Sequence, residues 1–330
     1  MAEFLTFDTD LTAVANAIRA KGGTSAQLIY PSGFVSAIQA IQTGITPKLV
    51  VTTTPGAAIT ATPAEGFKVV KGTAGADGMC TLELPKAGTW HVTAMANSVS
   101  NSQHIVIGTQ NMLLPLYHDT FANNTWEEII TVCRTGIAPD SWAVGDSKTM
   151  NIGGTAYQVD IIGKNHDEYA DGSGTAPLTF QLHDCYSEAK QMYSTNLSGL
   201  GWKNTDMRLT YLAAILALMP AEVQNGIRAV NKKTSEGGNS TTIEMVSDTL
   251  FLLSEVEIFG TASSSVAGEG SQYDYYKAGN PKIKKREGVD EFWWERSSAS
   301  GGMFCRVRAN GQAGASNASS SLGVSFAFCF

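Results

Sequence analysis

Residues Val324–Phe330 read VSFAFCF and end the chain in a strand whose side chains alternate without interruption. One face carries Val and three Phe, while the other carries Ser, Ala and Cys. A period of two is typical of an extended strand, and a strand with so apolar a face belongs in a core. We therefore expect the C-terminus to be tied into the fold and not to fray.

A predicted hairpin precedes this strand. Residues Phe304–Ala309 alternate in the same way and are followed by Asn310-Gly311, two residue types that reach positive φ at little cost. Residues 312–323 (QAGASNASSSLG) carry no charge and little bulk, and they predict a loop. Small polar residues held by a firm β framework are typical of a recognition surface.

Several motifs of this region resemble the end of a C-type-lectin-like domain. They are Trp293-Trp294-Glu295-Arg296-Ser297, Phe304–Val307, Gly311 and Gly323–Cys329. The version in question occurs in tail-associated proteins of phages and prophages of Gram-positive gut bacteria. It is also similar to the variable proteins of diversity-generating retroelements, in which residues between fixed Trp, Gly, Val and Phe positions are randomised to change the ligand.

The resemblance implies a multidomain α+β fold with a C-terminal C-type-lectin-like (formylglycine-generating-enzyme-like) domain over residues 112–330. Within it, the sequence predicts a helix from Trp126, strands at 153–163 and 179–182, and a helix that ends at Pro220. Residues Phe251–Gly260 are predicted to form the main central strand. Residues 231–248 and 261–288 are predicted to be long polar insertions.

The sequence of the N-terminal third predicts two small structural regions, one helical and one made of β-strands. A helix is expected from Asp8-Thr9-Asp10 to Gly22-Gly23 and a second after Pro31-Ser32, both too short to bury their apolar stripes alone. Residues 1–45 are therefore interpreted as a helical hairpin for attachment, or alternatively as a hairpin docked on the next domain. Short strands separated by turns over residues 46–111 predict a β-sandwich, which resembles immunoglobulin-like spacer modules.

Composition excludes some functions. The net charge of −7 argues against nucleic acid as the main partner, and no apolar run approaches the ~20 residues of a membrane span. The start of the chain lacks the features of a signal peptide. We expect synthesis in the bacterial cytoplasm without export, and assembly into a virion. The five cysteines lack metal-ligand spacing, and a Cys305–Cys329 disulfide is weighed against two buried thiols.

Candidate chemistry elsewhere is sparse. A calcium site near Asn165–Asp171 is left open, but EF-hand spacing is absent. His183-Asp184-Cys185 are neighbours on a strand and point to opposite faces, so we predict no catalytic residues, no metal and no cofactor. Of the adjacent Trp293 and Trp294, one is expected to face inward and one outward. Three tyrosines of the 261–288 insertion are expected to be exposed, namely Tyr273, Tyr275 and Tyr276.

The resemblance and the hairpin together predict a phage-tail adhesin that recognises a bacterial surface protein or glycan. Other tail proteins, bound through the N-terminal helices, and a homo-oligomer such as a trimer are the expected partners. The alternatives are a structural tail component that binds no receptor, or an enzyme that acts on cell walls or glycans. The predicted ligand-binding residues are Trp294, Arg296, Ser297, Ser298, Ala299, Ser300, Arg306, Arg308, Asn310, Gln312, Ser316, Asn317 and Ser319. The predicted fixed frame is Trp293, Trp294, Phe304, Gly311, Gly323, Val324, Phe326 and Phe328.

Overall fold

The described residues form a mixed α+β protein that consists mostly of β-sheets with few helices. A computed structural model describes residues 8–20, 47–64, 68–85, 87–107, 110–238 and 240–330. The chain divides into two compact units, Met1–Leu116 and Tyr117–Phe330. The predicted helix after Pro31-Ser32 lies outside the described residues, and the three-part division of the chain stays a prediction.

The first unit contains one described helix and two sheets. Helix α1 spans Asp8–Ala20, as the sequence predicts. The strands are β1 Lys48–Thr52, β2 Ala58–Pro63, β3 Val70–Thr73, β4 Met79–Glu83, β5 Gly88–Ala96, β6 Val99–Ile107 and β7 Gln110–Leu113. Strand β1 pairs with β4 antiparallel and with β7 parallel, while the second sheet has the order β3-β2-β5-β6.

The two sheets share one core because alternate side chains of each point inward. Trp90, Val92 and Ala94 of β5 are fully buried in the same cluster as Leu49 and Val51 of β1. Residues 97–98 join β5 to β6, and both have the positive φ (48° and 67°) that a two-residue hairpin turn needs. The short strands predicted for residues 46–111 are confirmed.

The second unit has several short helices and the remaining strands. The α-helices are α2 Trp126–Cys133, α3 Leu212–Leu216, α4 Ala221–Gly226, α5 Glu255–Phe259 and α6 Asp274–Lys277, and a π-helical turn spans Met207–Tyr211. Short 3-10 turns span Phe121–Asn123 and Trp202–Asn204. The strands are β8 Ser147–Ile152, β9 Thr155–Lys164, β10 Leu178–Leu182, β11 Val230–Ser235, β12 Ile243–Asp248, β13 Lys284–Arg286, β14 Val289–Glu291, β15 Trp293–Ser298, β16 Met303–Val307, β17 Ala313–Asn317 and β18 Ala327–Cys329.

The C-terminal strand lies in the core of this unit. Its sheet has the order β18-β10-β9-β8, and the ring of Phe180 in β10 lies 5.2 Å from Phe328 and 5.3 Å from Phe330. The Tyr169 hydroxyl donates to the backbone oxygen of Phe330 (2.9 Å). The prediction of a C-terminus tied into the fold is confirmed. Phe251 forms a β-bridge with Ala327 at the edge of β18 that faces away from β10, so both edges of β18 are paired. Both faces of β18 are also buried.

Three element predictions are wrong. Residues 255–259 form helix α5 and not a strand, because Ser254 and Glu257 make a capping box that starts a helix there. The predicted loop after Gly311 contains β17, which small residues can form when a partner strand supplies the hydrogen bonds. The predicted insertion 231–248 is largely the β11–β12 hairpin.

Candidate ligand-binding face

The C-terminal hairpin forms where the sequence predicts it, but Asn310 lacks the positive φ expected of both turn residues, and of the two only Gly311 has it. Strands β15, β16 and β17 form an antiparallel sheet in that order. At the turn, Gly311 has φ of 82° and its N–H donates to the Arg308 carbonyl (2.7 Å), while the Arg308 N–H donates to the Gln312 carbonyl (2.7 Å). A left-handed residue is required at this position, which Gly supplies without strain.

Five of the predicted ligand-binding residues are buried, and for these an outward orientation is wrong. They are Trp294, Arg296, Ser297, Ser298 and Ala299, each at most 2% exposed. Trp293 is also fully buried, so neither tryptophan of the pair faces outward. The reason is that β15 is covered on both faces. The indole N–H of Trp294 donates to the Lys190 carbonyl and that of Trp293 to the Lys282 carbonyl.

Arg296 belongs to a buried network of charges and not to a ligand surface. Its guanidinium forms an ion pair with Glu257 and donates to the backbone carbonyls of Lys233 (2.9 Å) and Glu269 (2.8 Å). Although burial disfavours the charged form, the attraction of Glu257 outweighs it, and the pKa of Arg296 is raised. The network fixes β15 against α5 and β11.

Lys232 extends this network towards Asp167. The Lys232 ammonium lies 2.6 Å from Asp167 Oδ1, 2.8 Å from Glu257 Oε1 and 3.0 Å from the Tyr273 hydroxyl. Burial alone would raise the pKa of Asp167, but the charge and hydrogen bond of Lys232, with a hydrogen bond from Thr179, lower it to about 2. The Asp167 carboxylate is therefore engaged by protein groups.

A calcium site near Asn165–Asp171 would need several oxygen ligands close together. Within the part of the chain that the structure describes, no group of three or more His, Cys, Asp or Glu side chains is arranged to hold a metal ion. The five cysteines are free and buried, so Cys305 and Cys329 pack as thiols. The pKa of Cys185 is raised to about 12, chiefly by burial, which disfavours the thiolate form.

The tyrosines of the 261–288 segment are buried, contrary to the sequence prediction. Tyr273 and Tyr276 are at most 2% exposed, and Tyr275 is 8% exposed. Their hydroxyls find polar partners inside the unit: Tyr273 donates to Asp167 and Tyr276 to Gln181. A tyrosine can be buried when its hydroxyl has a hydrogen-bond partner. These partners are distant in the chain, so no local sequence pattern predicts them.

The remaining predicted ligand-binding residues are exposed or half-buried, and the alternation of side chains along β16 and β17 places several of them on two opposite faces of the sheet. They are Ser300, Arg306, Arg308, Asn310, Gln312, Ser316, Asn317 and Ser319. Arg306 pairs with Gly314, and Arg306 Nε donates to Ser316 Oγ (2.5 Å), so these lie on one face. Met303 pairs with Asn317 and Cys305 with Ala315, which places Asn317 on the opposite face.

The first face presents two arginines close together. The Arg306 guanidinium lies over the ring of Phe292, 4.4 Å from its centroid, and Phe292 is 38% exposed. Arg308 is exposed, and its Nε donates to the Ala313 carbonyl (3.1 Å). Partial burial and the charge of Arg308 both lower the pKa of Arg306. Arg306, Arg308, Phe292, Ser316 and the Asn310–Gln312 turn are called the arginine face below.

The second face borders an open hollow of about 520 Å³. Its lining consists of Ser263, Ser264, Ser265, Val266, Ala299, Ser300, Met303 and Ala315. The three serines fold around the buried carboxylate of Glu255, which accepts backbone N–H bonds from Ser263 (3.0 Å), Ser264 (3.0 Å) and Ser265 (2.8 Å). Burial acts to raise the pKa of Glu255, but hydrogen bonds from the Ser263 and Ser265 hydroxyls and from the Ser264 and Ser265 N–H groups outweigh it, and the pKa is lowered.

Two contributors to this region were missed from the sequence. Phe292 was not assigned to the site, although it lies next to the tryptophan pair, because its contact with Arg306 depends on strand register. The Ser263–Ser265 run was placed in a polar insertion, and its attachment to Glu255 is likewise a tertiary contact. A serine triplet in the sequence is the one local sign of it.

Comparison with known proteins identifies one domain. Residues 179–330, which include β11 to β18, β10 except its first residue and the whole arginine face, match a family described as a domain of unknown function (DUF6273). No curated protein matches the chain, and no solved structure does so. Among the residues that the structure describes, no helix is both long and apolar enough to cross a membrane. The C-terminal part of the chain is thus similar to the DUF6273 domain.

Proposed function

We propose that the chain is a receptor-binding protein of a phage or prophage tail, and that it recognises a bacterial surface protein or glycan through the arginine face. The observation that carries the proposal is the rigid presentation of Arg306. Its guanidinium is held over Phe292 and by Ser316, so little side-chain freedom remains to be lost on binding. Preorganised cationic and aromatic groups beside adaptable amides are typical of recognition surfaces.

The proposal includes the finer domain identities. Residues 112–330 are a C-type-lectin-like domain, and residues 46–111 are an immunoglobulin-like spacer. In support, Trp293, Phe304, Val324, Phe326 and Phe328 of the expected frame are fully buried, which a fixed framework beneath a changeable surface requires. The two sheets around one core in the first unit support the spacer assignment.

The remaining parts of the proposal concern assembly. The N-terminal region attaches the protein to other tail proteins, the chain forms a homo-oligomer such as a trimer, and the protein resides in the virion. The described helix α1 carries an exposed Val14 (47%) beside the buried Ala15 and Ile18. Exposed apolar side chains on a helix are available to partner chains.

Adsorption of the full chain to cells tests the proposal. A fluorescently labelled protein would be incubated with a panel of Gram-positive gut bacteria, and cell-bound fluorescence would be measured. The site variant replaces Arg306, Arg308, Asn310, Gln312 and Ser316, all of the arginine face, by alanine. A matched control replaces Arg134, Lys277, Asn123, Asn151 and Thr241, which are also exposed and include two cations.

We expect the wild-type protein and the control variant to adsorb to some strains and the site variant to lose adsorption while its circular dichroism spectrum is unchanged. Equal adsorption by the site and control variants would show that the arginine face is not the surface that recognises the cell. Absence of adsorption by the wild-type protein across strains infected by the phage would contradict the receptor-binding role.

A further inference from the structure

Within the described part of the chain, the two arginines of the hairpin have no acidic partner. The ion-paired arginines among the described residues are Arg208, Arg228, Arg286 and Arg296. Arg306 and Arg308 form no ion pair there: Arg306 Nε donates to Ser316 Oγ and Arg308 Nε to the Ala313 carbonyl, while Arg306 Nη1 is buried without a hydrogen-bond partner. Two cations are thus held near each other with neutral partners.

The backbone makes room for this arrangement. Gly314 lies directly opposite Arg306 in the β16–β17 ladder. A Cβ atom at Gly314 would lie 2.9 Å from Arg308 Nε and 3.4 Å from its Nη2, so the Arg308 guanidinium lies across the glycine. Both guanidinium groups therefore occupy the same face, and the absence of a side chain at Gly314 permits it.

Glu295 is the acid whose charge acts to raise the pKa of Arg306, but it does not neutralise the two arginines. Glu295 is fully buried, and neither of its carboxyl oxygens has a hydrogen-bond partner among the described residues. Burial, followed by the charges of Glu255 and Glu269, raises the pKa of Glu295 well above its usual range and favours the neutral acid. The like charges of Arg306 and Arg308 repel each other, and an external anion would relieve that repulsion.

We infer that the arginine face binds a carboxylate-bearing sugar of a surface glycan, with Arg306 and Arg308 holding the carboxylate. This inference rests on the proposed binding function and specifies its ligand. Arg308 Nε donates to the Ala313 carbonyl, so its two terminal nitrogens are left to pair with a carboxylate; Arg306 has only Nη2 left, because its Nε bonds to Ser316 and its Nη1 is buried. Such charge-assisted hydrogen bonds are among the strongest available to a surface.

The surroundings of the arginines favour a sugar. Asn310 and Gln312 at the turn and Ser316 on β17 present amide and hydroxyl groups, which match ring hydroxyls. Asn310 and Gln312 bond to each other at 3.2 Å and 3.3 Å, so their amides are ordered but retain free hydrogen-bonding capacity. Phe292 adds an apolar surface on which a sugar ring can pack.

Binding of defined polymers tests the inference with the full chain. The probes are polygalacturonate, whose sugars each carry a carboxylate, and the same polymer with its carboxyls methyl-esterified. We expect immobilised polygalacturonate to bind the protein and the esterified polymer not to bind it. The double variant Arg306→Gln/Arg308→Gln should bind at least about tenfold more weakly, since it removes the charge-assisted hydrogen bonds to the carboxylate.

Two further variants separate site binding from general charge. Arg134→Gln removes one exposed cation elsewhere in the same unit and should bind as the wild-type protein does. Gly314→Ala leaves the net charge unchanged but displaces the Arg308 guanidinium, and it should weaken binding severalfold. Equal losses for Arg134→Gln and the single variant Arg308→Gln would overturn the inference, as would equal binding of the esterified polymer.

Other polyanions test the sugar assignment. Poly-L-glutamate presents carboxylates on a peptide and polyphosphate presents phosphates without sugar, so equal or tighter binding of either would overturn the choice of an acidic sugar. Cell adsorption separates this inference from the proposed function. If cells bind the protein but Arg306→Gln/Arg308→Gln leaves adsorption unchanged, the acidic-sugar inference fails while receptor binding stands. If polygalacturonate binds specifically but no host cell does, the receptor-binding role fails.

Discussion

At the scale of single residues, the buried ion network around Lys232 has the largest predicted effect on stability. Lys232 is 2% exposed and contacts Asp167, Glu257 and the Tyr273 hydroxyl within 3.0 Å. The two carboxylates make the ammonium favourable despite burial, and they raise the pKa of Lys232. A charge in such a site is tolerated only while its partners are present.

Replacing Lys232 by Met should therefore destabilise the second unit by about 3–5 kcal/mol, because Asp167 and Glu257 would keep buried negative charge without this cation. Urea denaturation followed by tryptophan fluorescence would give the free energy of unfolding. Lys203→Met is the matched control: Lys203 pairs with Glu244 at 2.9 Å, but its side chain is 54% exposed, and the expected loss is about 0–1 kcal/mol. Similar losses for the two variants would contradict the assignment of a buried network.

At the scale of elements, helix α5 shows how a local signal overrides an apolar pattern. Residues 251–259 read FLLSEVEIF and are apolar enough for a buried strand. Ser254 instead accepts the Glu257 N–H (3.1 Å), and the Glu257 carboxylate accepts the Ser254 N–H (3.0 Å). The helix then ends at Gly260, whose φ is 78°.

Ser254→Ala should destabilise the protein by about 2 kcal/mol. The change removes the helix cap, which contributes about 1 kcal/mol, and it also leaves the buried Glu269 carbonyl without the Ser254 hydroxyl that bonds to it at 2.8 Å. The comparison is Thr125→Ala, which breaks the exposed capping box of helix α2 and should cost only about 1 kcal/mol. Chemical denaturation of both variants checks the order, and a larger loss for Thr125→Ala would refute the explanation.

At the scale of the whole molecule, each compact unit has its own hydrophobic core. The second unit, Tyr117–Phe330, encloses a cluster that includes Phe180, Trp202 and Phe328. The first unit encloses a separate cluster that includes Trp90. A unit with its own core is able to fold without the other.

The fragment Tyr117–Phe330 should therefore unfold in a single cooperative transition, with a urea midpoint close to that of the same unit in the full chain. The measurement compares tryptophan fluorescence and far-ultraviolet circular dichroism of the fragment across the transition. A fragment that unfolds gradually, or whose two signals do not coincide, would show that the second unit depends on residues 1–116.

Much of the local structure could be predicted because its causes are local. The alternation of Val324–Phe330 indicated a buried C-terminal strand, and Asn310-Gly311 indicated the hairpin turn. The helix that includes Asp8-Thr9-Asp10 and the short strands of residues 46–111 were also recognisable from side-chain periodicity and turn chemistry. The family resemblance supplied the expectation of a binding face, which stays a proposal.

The candidate site was predicted only in part, because burial is not a local property. Trp294 and Arg296 are residue types that are common in binding sites, and both were predicted to contact a ligand. Both are fully buried. Their partners, Lys190 and Glu257, are 104 and 39 residues away in the chain. No periodicity within β15 could reveal that both of its faces are covered.

The sequence by itself determined which segments alternate, where the hairpin turns and that the chain ends in an apolar strand, since each follows from neighbouring residues. The tertiary structure alone decided that Phe292 lies against Arg306 and that Arg306 and Arg308 have no acidic partner among the described residues. That outcome depends on the register that sets Gly314 opposite Arg306 and on the burial of Glu295. Register and burial are set by packing between distant segments, and packing is the physical reason that the proposed binding face could be predicted only in part from the sequence.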